Sequence, residues 1–184
     1  RESFAPLLTL YEALPEWGAD FEMQAFMIEV LAKRHPAVRE RFVRLVTSGQ
    51  IELVCCHYSD QLVLAYPRED LARSVAISDR LIAKHGMKRS GVIFLQEGQT
   101  GPGVLAFLKG HGYPIAVHAR GSYDYFQPGD DHPLLYRDGE TLVVPAGSER
   151  PGAPATLFWG RLGDGELVVA EGNPYGHKGK LQYS

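Results

Sequence analysis

Cysteine is almost absent from this sequence: Cys55 and Cys56, side by side, are the only two in 184 residues. Neighbours on an extended strand point to opposite faces, so an easy bond between them is excluded and no disulfide framework holds the chain. The pair reads as two small buried side chains in a reducing cytoplasm, and nothing around them favours a thiol nucleophile. Long apolar runs are missing as well. None approaches the roughly 20 residues that cross a bilayer, so no membrane partner is expected. Basic residues are not in excess: 19 Lys and Arg face 22 Asp and Glu, which argues against a nucleic-acid partner. There is no Gly-x-Gly-x-x-Gly, no Walker lysine loop, no Gly-x-Ser-x-Gly elbow and no His-Glu-x-x-His. Gly101-Pro102-Gly103 is too short to cradle a phosphate, and Pro102 lacks the N–H such a loop would use. No cofactor is called for. No leader pattern follows Arg1, and the abrupt ends at Arg1 and Ser184 suggest a fragment, or a chain with segments left out.

What is present is a β/α rhythm. The apolar spacing of Phe21, Met23, Phe26, Met27, Ile28 and Leu31 predicts a helix over 20–34. Pro36 opens a second helix, with Val38, Phe42, Leu45 and Val46 along one face and Gly49 just past its end. Ile51 to Cys56 then reads as a largely buried strand. The pattern repeats. Pro67 precedes a helix over about 68–85 with Leu71, Val75, Ala76, Leu81 and Ile82 inward, Gly86 stops it, and Gly91 to Gln96 is the next strand. Pro102 starts a further helix, with Val104, Leu105, Phe107 and Leu108 apolar, ahead of a strand over 114–117. Such alternation predicts an α/β fold with a parallel sheet and right-handed crossovers, organised as a single domain over 1–184. The last third differs. Residues 122–133 read as a long loop, and 134–136 and 141–144 flank an Asp-Gly hairpin turn. Residues 148–154 form a Pro/Gly-rich loop, and 156–159 and 166–169 read as strands.

In parallel β/α folds, active sites gather at the C-terminal ends of the strands. That rule selects His57, Tyr58, Ser59 and Asp60 after the first strand, and Gln96, Glu97 and Gly98 after the second. It selects His118 and Arg120 after the third, and Arg161 and Asp164 after 156–159. Glu97 is the sharpest of these. A carboxylate ending an apolar strand can attack an anomeric carbon or hold a raised pKa as a general acid. The same position also suits an ordinary acid opening a helix. His57 and Asp60 can bind sugar hydroxyls, ligate a metal or tune Glu97, or simply be satisfied strand-end residues. A metal site needs about three ligands, and these two with His118 would make a bare set. Asp164 and Glu166 also suit a hairpin tip. Tyr58, Tyr123, Tyr125, Phe126 and Trp159 can stack on sugar rings or pack as core.

These residues bring a family into view. Gly49 to Leu53 followed by His57 to Asp60 resembles the second signature region of glycoside hydrolase family 57. The strand over 92–96 ending in Glu97 resembles the family's third region, and Phe107 to Tyr113 and the lead-in from His35 to Gly49 are similar too. The block spans about residues 20 to 118. The resemblance implies a parallel (β/α)7-type incomplete barrel, shared with family 38 mannosidases and polysaccharide deacetylases. It implies retaining double displacement on α-glycosidic bonds of an oligo- or polysaccharide, with Glu97 as nucleophile, Asp164 as the matching acid/base and no metal. It makes His57, Tyr58, Asp60, Gln96, His118 and Trp159 candidate substrate contacts. The His-x-His motif that opens such chains is absent from these residues. Two other readings stay open: a deacetylase-like hydrolase with a divalent metal at His57, Asp60 and His118, and a sugar-binding relative without catalysis.

Overall fold

The computed structural model describes residues 4–55, 57–59, 64–95, 102–119, 136–138, 140–146, 160–163 and 166–169. Their elements run α1 (Phe4–Ala13), β1 (Ala19–Glu22), α2 (Ala25–Arg34), α3 (Pro36–Thr47), β2 (Ile51–Val54), α4 (Arg68–Lys84), β3 (Val92–Phe94), α5 (Pro102–Gly110), β4 (Ile115–Ala119), β5 (Tyr136–Asp138), β6 (Thr141–Ala146), β7 (Gly160–Gly163) and β8 (Glu166–Val169). The helix signals act as expected. Pro36 sits in the first turn of α3, where its missing N–H has no intrahelical partner to lose. Glu69 and Asp70 lie in the first turn of α4 and Lys84 in its last, each with the sign that suits the helix dipole. Gly86 takes φ +73 just beyond α4, a left-handed conformation that costs glycine little.

The expected parallel pairing is present, in a two-stranded sheet β1-β2 and a four-stranded sheet of order β3-β4-β6-β5. β1 pairs with β2, β3 with β4 and β4 with β6, all parallel. Ser90 N–H donates to Leu53 C=O at 2.7 Å, which lays the lead-in to β3 beside β2. β5 adds to the outer edge of β6 antiparallel, as the hairpin reading required; its described strand covers Tyr136–Asp138, and residues 134 and 135 lie outside the described residues. β7 and β8 pair antiparallel with each other. The strand expected over 156–159 lies outside the described residues, and the described strand starts at Gly160, so Arg161 falls within a strand rather than after one. The loops expected over 122–133 and 148–154 also lie outside them.

Two elements were not read from the sequence, α1 and β1. The helix read from Asp20 begins only at Ala25, and Ala19–Glu22 is a strand. Its four residues alternate in burial, and they align with Ile51–Val54 residue by residue. Pairing with β2 decides the matter, because a strand completed by a neighbour satisfies backbone groups that helix periodicity alone would have assigned elsewhere.

Each of the sheets β1-β2 and β3-β4-β6-β5 packs on its own set of helix residues. Phe21, Ile51, Leu53 and Cys55 pack with Leu8, Ile28, Phe42 and Leu45 of the surrounding helices. The rings of Phe4, Phe21 and Phe42 meet at 5.4–5.7 Å, joining α1, β1 and α3. Ile93, Leu95, Ala116 and Val143 pack with Leu71, Val75, Leu105 and Leu108 of α4 and α5. Strand alternation therefore sends Asp20 and Glu52 to the opposite face, where they stand level in the register. Ser90 Oγ donates to Glu52 there. Burial, then the neighbouring Glu52 carboxylate, pushes the Asp20 carboxyl above its ordinary value. Gln50, just ahead of β2, donates its amide to Tyr11 C=O and Leu14 C=O at 2.6 and 3.0 Å, fastening the end of α1 to the sheet.

Candidate functional site

The C-terminal end of β2 is the best-defined part of the strand-end face. Cys55 is buried, with its Sγ 3.2 Å from Ser78 Oγ and its carbonyl accepting the Tyr113 hydroxyl at 2.5 Å. Burial pushes the Cys55 thiol up, which makes it a poor nucleophile and agrees with its packing role. Cys56 lies outside the described residues.

His57 follows, only 9% exposed. Its Nδ1 lies 2.5 Å from Ser59 C=O. A carbonyl only accepts, so Nδ1 donates this bond. Tyr58 is held from three sides. Its N–H donates to Ser74 Oγ at 3.0 Å, its C=O accepts from Phe26 N–H at 2.7 Å, and its hydroxyl donates to Glu29 Oε2 at 2.6 Å. The bond to Glu29 is the main reason the phenol is raised above its ordinary value, so Tyr58 stays protonated. Phe26 meets the Tyr58 ring edge-on, with centroids 5.9 Å apart.

The serines of α4 were not foreseen as inward-facing. Ser74 and Ser78 are buried toward β2, whereas Ala76, expected inside, is exposed. Small hydroxyls let the helix approach the strand end while satisfying its polar groups. Phe26 and Glu29 were missed as well. Phe26 and Met27 fit the expected apolar face of α2, yet they are exposed, and Ala25, Ile28 and Leu31 are the buried positions. The one available signal was the three-residue spacing of Phe26 and Glu29, which places them together on a helix.

The other candidates divide. His118 is the fourth residue of β4 and stands level with Pro145 of β6. Because Phe94 aligns with Val117, the His118 backbone sits one step beyond the end of β3. Leu95 N–H donates to Val117 C=O at 2.9 Å, so the chain is still paired one residue before Gln96. Asp60, Gln96, Glu97, Trp159 and Asp164 lie outside the described residues. The structure therefore brings together His57 and Tyr58 with the unforeseen Phe26 and Glu29.

No protein-family model matches the chain. An α-amylase of Pyrococcus horikoshii is 23% identical over 150 residues, 78% of this chain and 23% of that protein. Among solved structures, the 4-α-glucanotransferase of Thermococcus litoralis superimposes with a TM-score of 0.67 at 20% identity, over 78% of this chain and 23% of that one. The α-amylase AmyC of Thermotoga maritima gives 0.57 at 15% identity, over 80% of this chain and 40% of that one. The chain thus spans about a quarter of the length of the first two relatives. Across most of its own length it shares the α/β fold of these two solved structures, and in sequence it is a distant relative of an α-amylase.

Proposed function

We propose that this chain forms part of an incomplete (β/α)7-type barrel, within glycoside hydrolase family 57, of an enzyme that cleaves or transfers α-glucan. The observation that carries the reading is the placement of β3. It is a strand with Ile93 buried at its centre, paired in parallel with β4, and its lead-in is hydrogen-bonded to β2; in the sequence Glu97 follows its last residue by three positions, in the stretch where β/α enzymes gather their chemistry. The α-amylase and glucanotransferase relatives support the substrate class.

In this reading the Glu97 carboxylate attacks the anomeric carbon. The glycosidic bond breaks as a carboxylic acid, Asp164, protonates the departing oxygen. A glycosyl ester remains on Glu97. The same aspartate, now a carboxylate, deprotonates an incoming water or sugar hydroxyl, which displaces Glu97 with net retention. Such a pair stands about 5–5.5 Å apart. His57, Tyr58, Asp60, Gln96, His118 and Trp159 bind the glucan, and no metal or cofactor takes part.

The test is turnover of maltoheptaose by wild type and Glu97→Gln, with product anomers followed by NMR. Loss of the nucleophile should lower kcat by roughly 10³-fold or more, about 4 kcal/mol of barrier. Glu97→Gln turning over at the wild-type rate would overturn the proposal, and so would a wild type that neither cleaves nor transfers the glucan.

A further inference from the structure

We infer that Phe26, Glu29 and Tyr58 form a sugar-binding subsite, a platform that seats one glucosyl ring of an α-glucan beside the C-terminal ends of β1 and β2. This rests on the α-glucan reading above. The three residues come from two elements and are locked to each other. The Phe26 N–H to Tyr58 C=O bond joins the start of α2 to the segment after β2, and the Tyr58 hydroxyl to Glu29 bond closes the loop one helical turn later. Phe26 is 45% exposed, although its ring is already fixed edge-on against Tyr58.

The chemistry of the group selects the ligand. A pyranose offers an apolar face of C–H groups and a rim of hydroxyls. The Phe26 ring can take the face, since an aromatic quadrupole attracts the positive edge of C–H groups. The Glu29 carboxylate can take the rim. One of its oxygens accepts from Tyr58, and Oε1 accepts no hydrogen bond among the described residues. The Tyr58 bond holds that carboxylate in place before a ligand arrives, which lowers the entropy lost on binding. The platform also sits at the C-terminal mouth of a parallel strand pair, beside the buried His57. An apolar protein partner would gain from the ring but would have to desolvate the carboxylate.

The test is calorimetric titration of the Glu97→Gln protein with maltoheptaose, alongside steady-state kinetics with Glu97 intact. Phe26→Ala should weaken binding about 3- to 10-fold and raise KM accordingly. Phe26→Trp, which keeps a stacking face, should restore affinity. Glu29→Gln should weaken binding roughly tenfold while thermal melting confirms the fold. Unchanged affinity in both Phe26→Ala and Glu29→Gln would overturn the subsite while leaving the enzyme reading intact. Maltoheptaose binding that depends on Phe26, in a protein that turns nothing over, would support the subsite and remove the enzyme reading. A protein that does not bind maltoheptaose at all would overturn the subsite.

Discussion

Tyr113→Phe removes one oxygen from the interior and nothing else. The Tyr113 side chain is fully buried, and its hydroxyl donates to the carbonyl of Cys55, itself 2% exposed, at 2.5 Å. That bond ties the residue leading into β4 to the end of β2, across the boundary between the two apolar clusters. The ring keeps its volume, so no cavity opens, and the Arg89 guanidinium 3.9 Å from its centroid keeps an aromatic face to rest on. What changes is that a buried carbonyl loses its donor. Leaving such an acceptor unsatisfied costs about 1–3 kcal/mol. For a chain of this size each kcal/mol moves Tm by roughly 2–4 °C, so melting should fall by about 2–12 °C. Urea unfolding followed by circular dichroism reads the same loss as a lower midpoint at unchanged slope. A midpoint indistinguishable from wild type would refute the reasoning, because it would mean that water or a shifted backbone replaces the phenol at no cost.

Two further perturbations follow from the same contacts. Arg89 is 15% exposed, pairs with Asp79 at 2.6 Å, and donates to His111 C=O and Gly112 C=O at 2.7 and 3.3 Å. Arg89→Met should cost about 1–3 kcal/mol in urea unfolding, discounted because Asp79 is itself half open to water. A change within about 0.5 kcal/mol would class it with ordinary surface sites. Asp20 gives a pH signature. Its folded pKa is raised, so the native state holds the proton more tightly than the unfolded chain does. The stability this supplies is complete below the ordinary value of 3.8 and is lost as pH rises through the folded value. Asp20→Asn should therefore melt higher than wild type near about pH 7, with the gap closing toward about pH 4 and below. An equal gap at both pH values would show that ionisation of Asp20 is not the cause.

The helices of the β/α units were legible because their signals are local. Pro36 and Pro67 mark starts, Gly49 and Gly86 mark stops, and the apolar period between them identifies the buried face. The buried run from Ile51 was equally plain. β1 was not, since Ala19–Glu22 continues into apolar residues that also suit a helix, and only the presence of β2 beside it chooses between the two. The candidate site was legible in outline for the same reason. Strand ends can be found from the chain, so His57 and Tyr58 could be selected without coordinates. Their partners could not. Ser74 lies sixteen residues from Tyr58 and Glu29 lies twenty-nine away, and nothing short-range links either to it.

By itself, then, the sequence determined the alternation of helices and strands from α3 to β4 and the parallel character of those strands, and it nominated the residues that follow the strand ends. These follow from periodicity and from the conformational limits of proline and glycine, which act within a few bonds. Tertiary structure alone decided that residues 19–22 are extended, that serines rather than Ala76 line the inner face of α4, and that Phe26 stands exposed against Tyr58 beside Glu29. Those outcomes depend on hydrogen bonds and ring contacts between segments far apart in the chain, which no local pattern encodes.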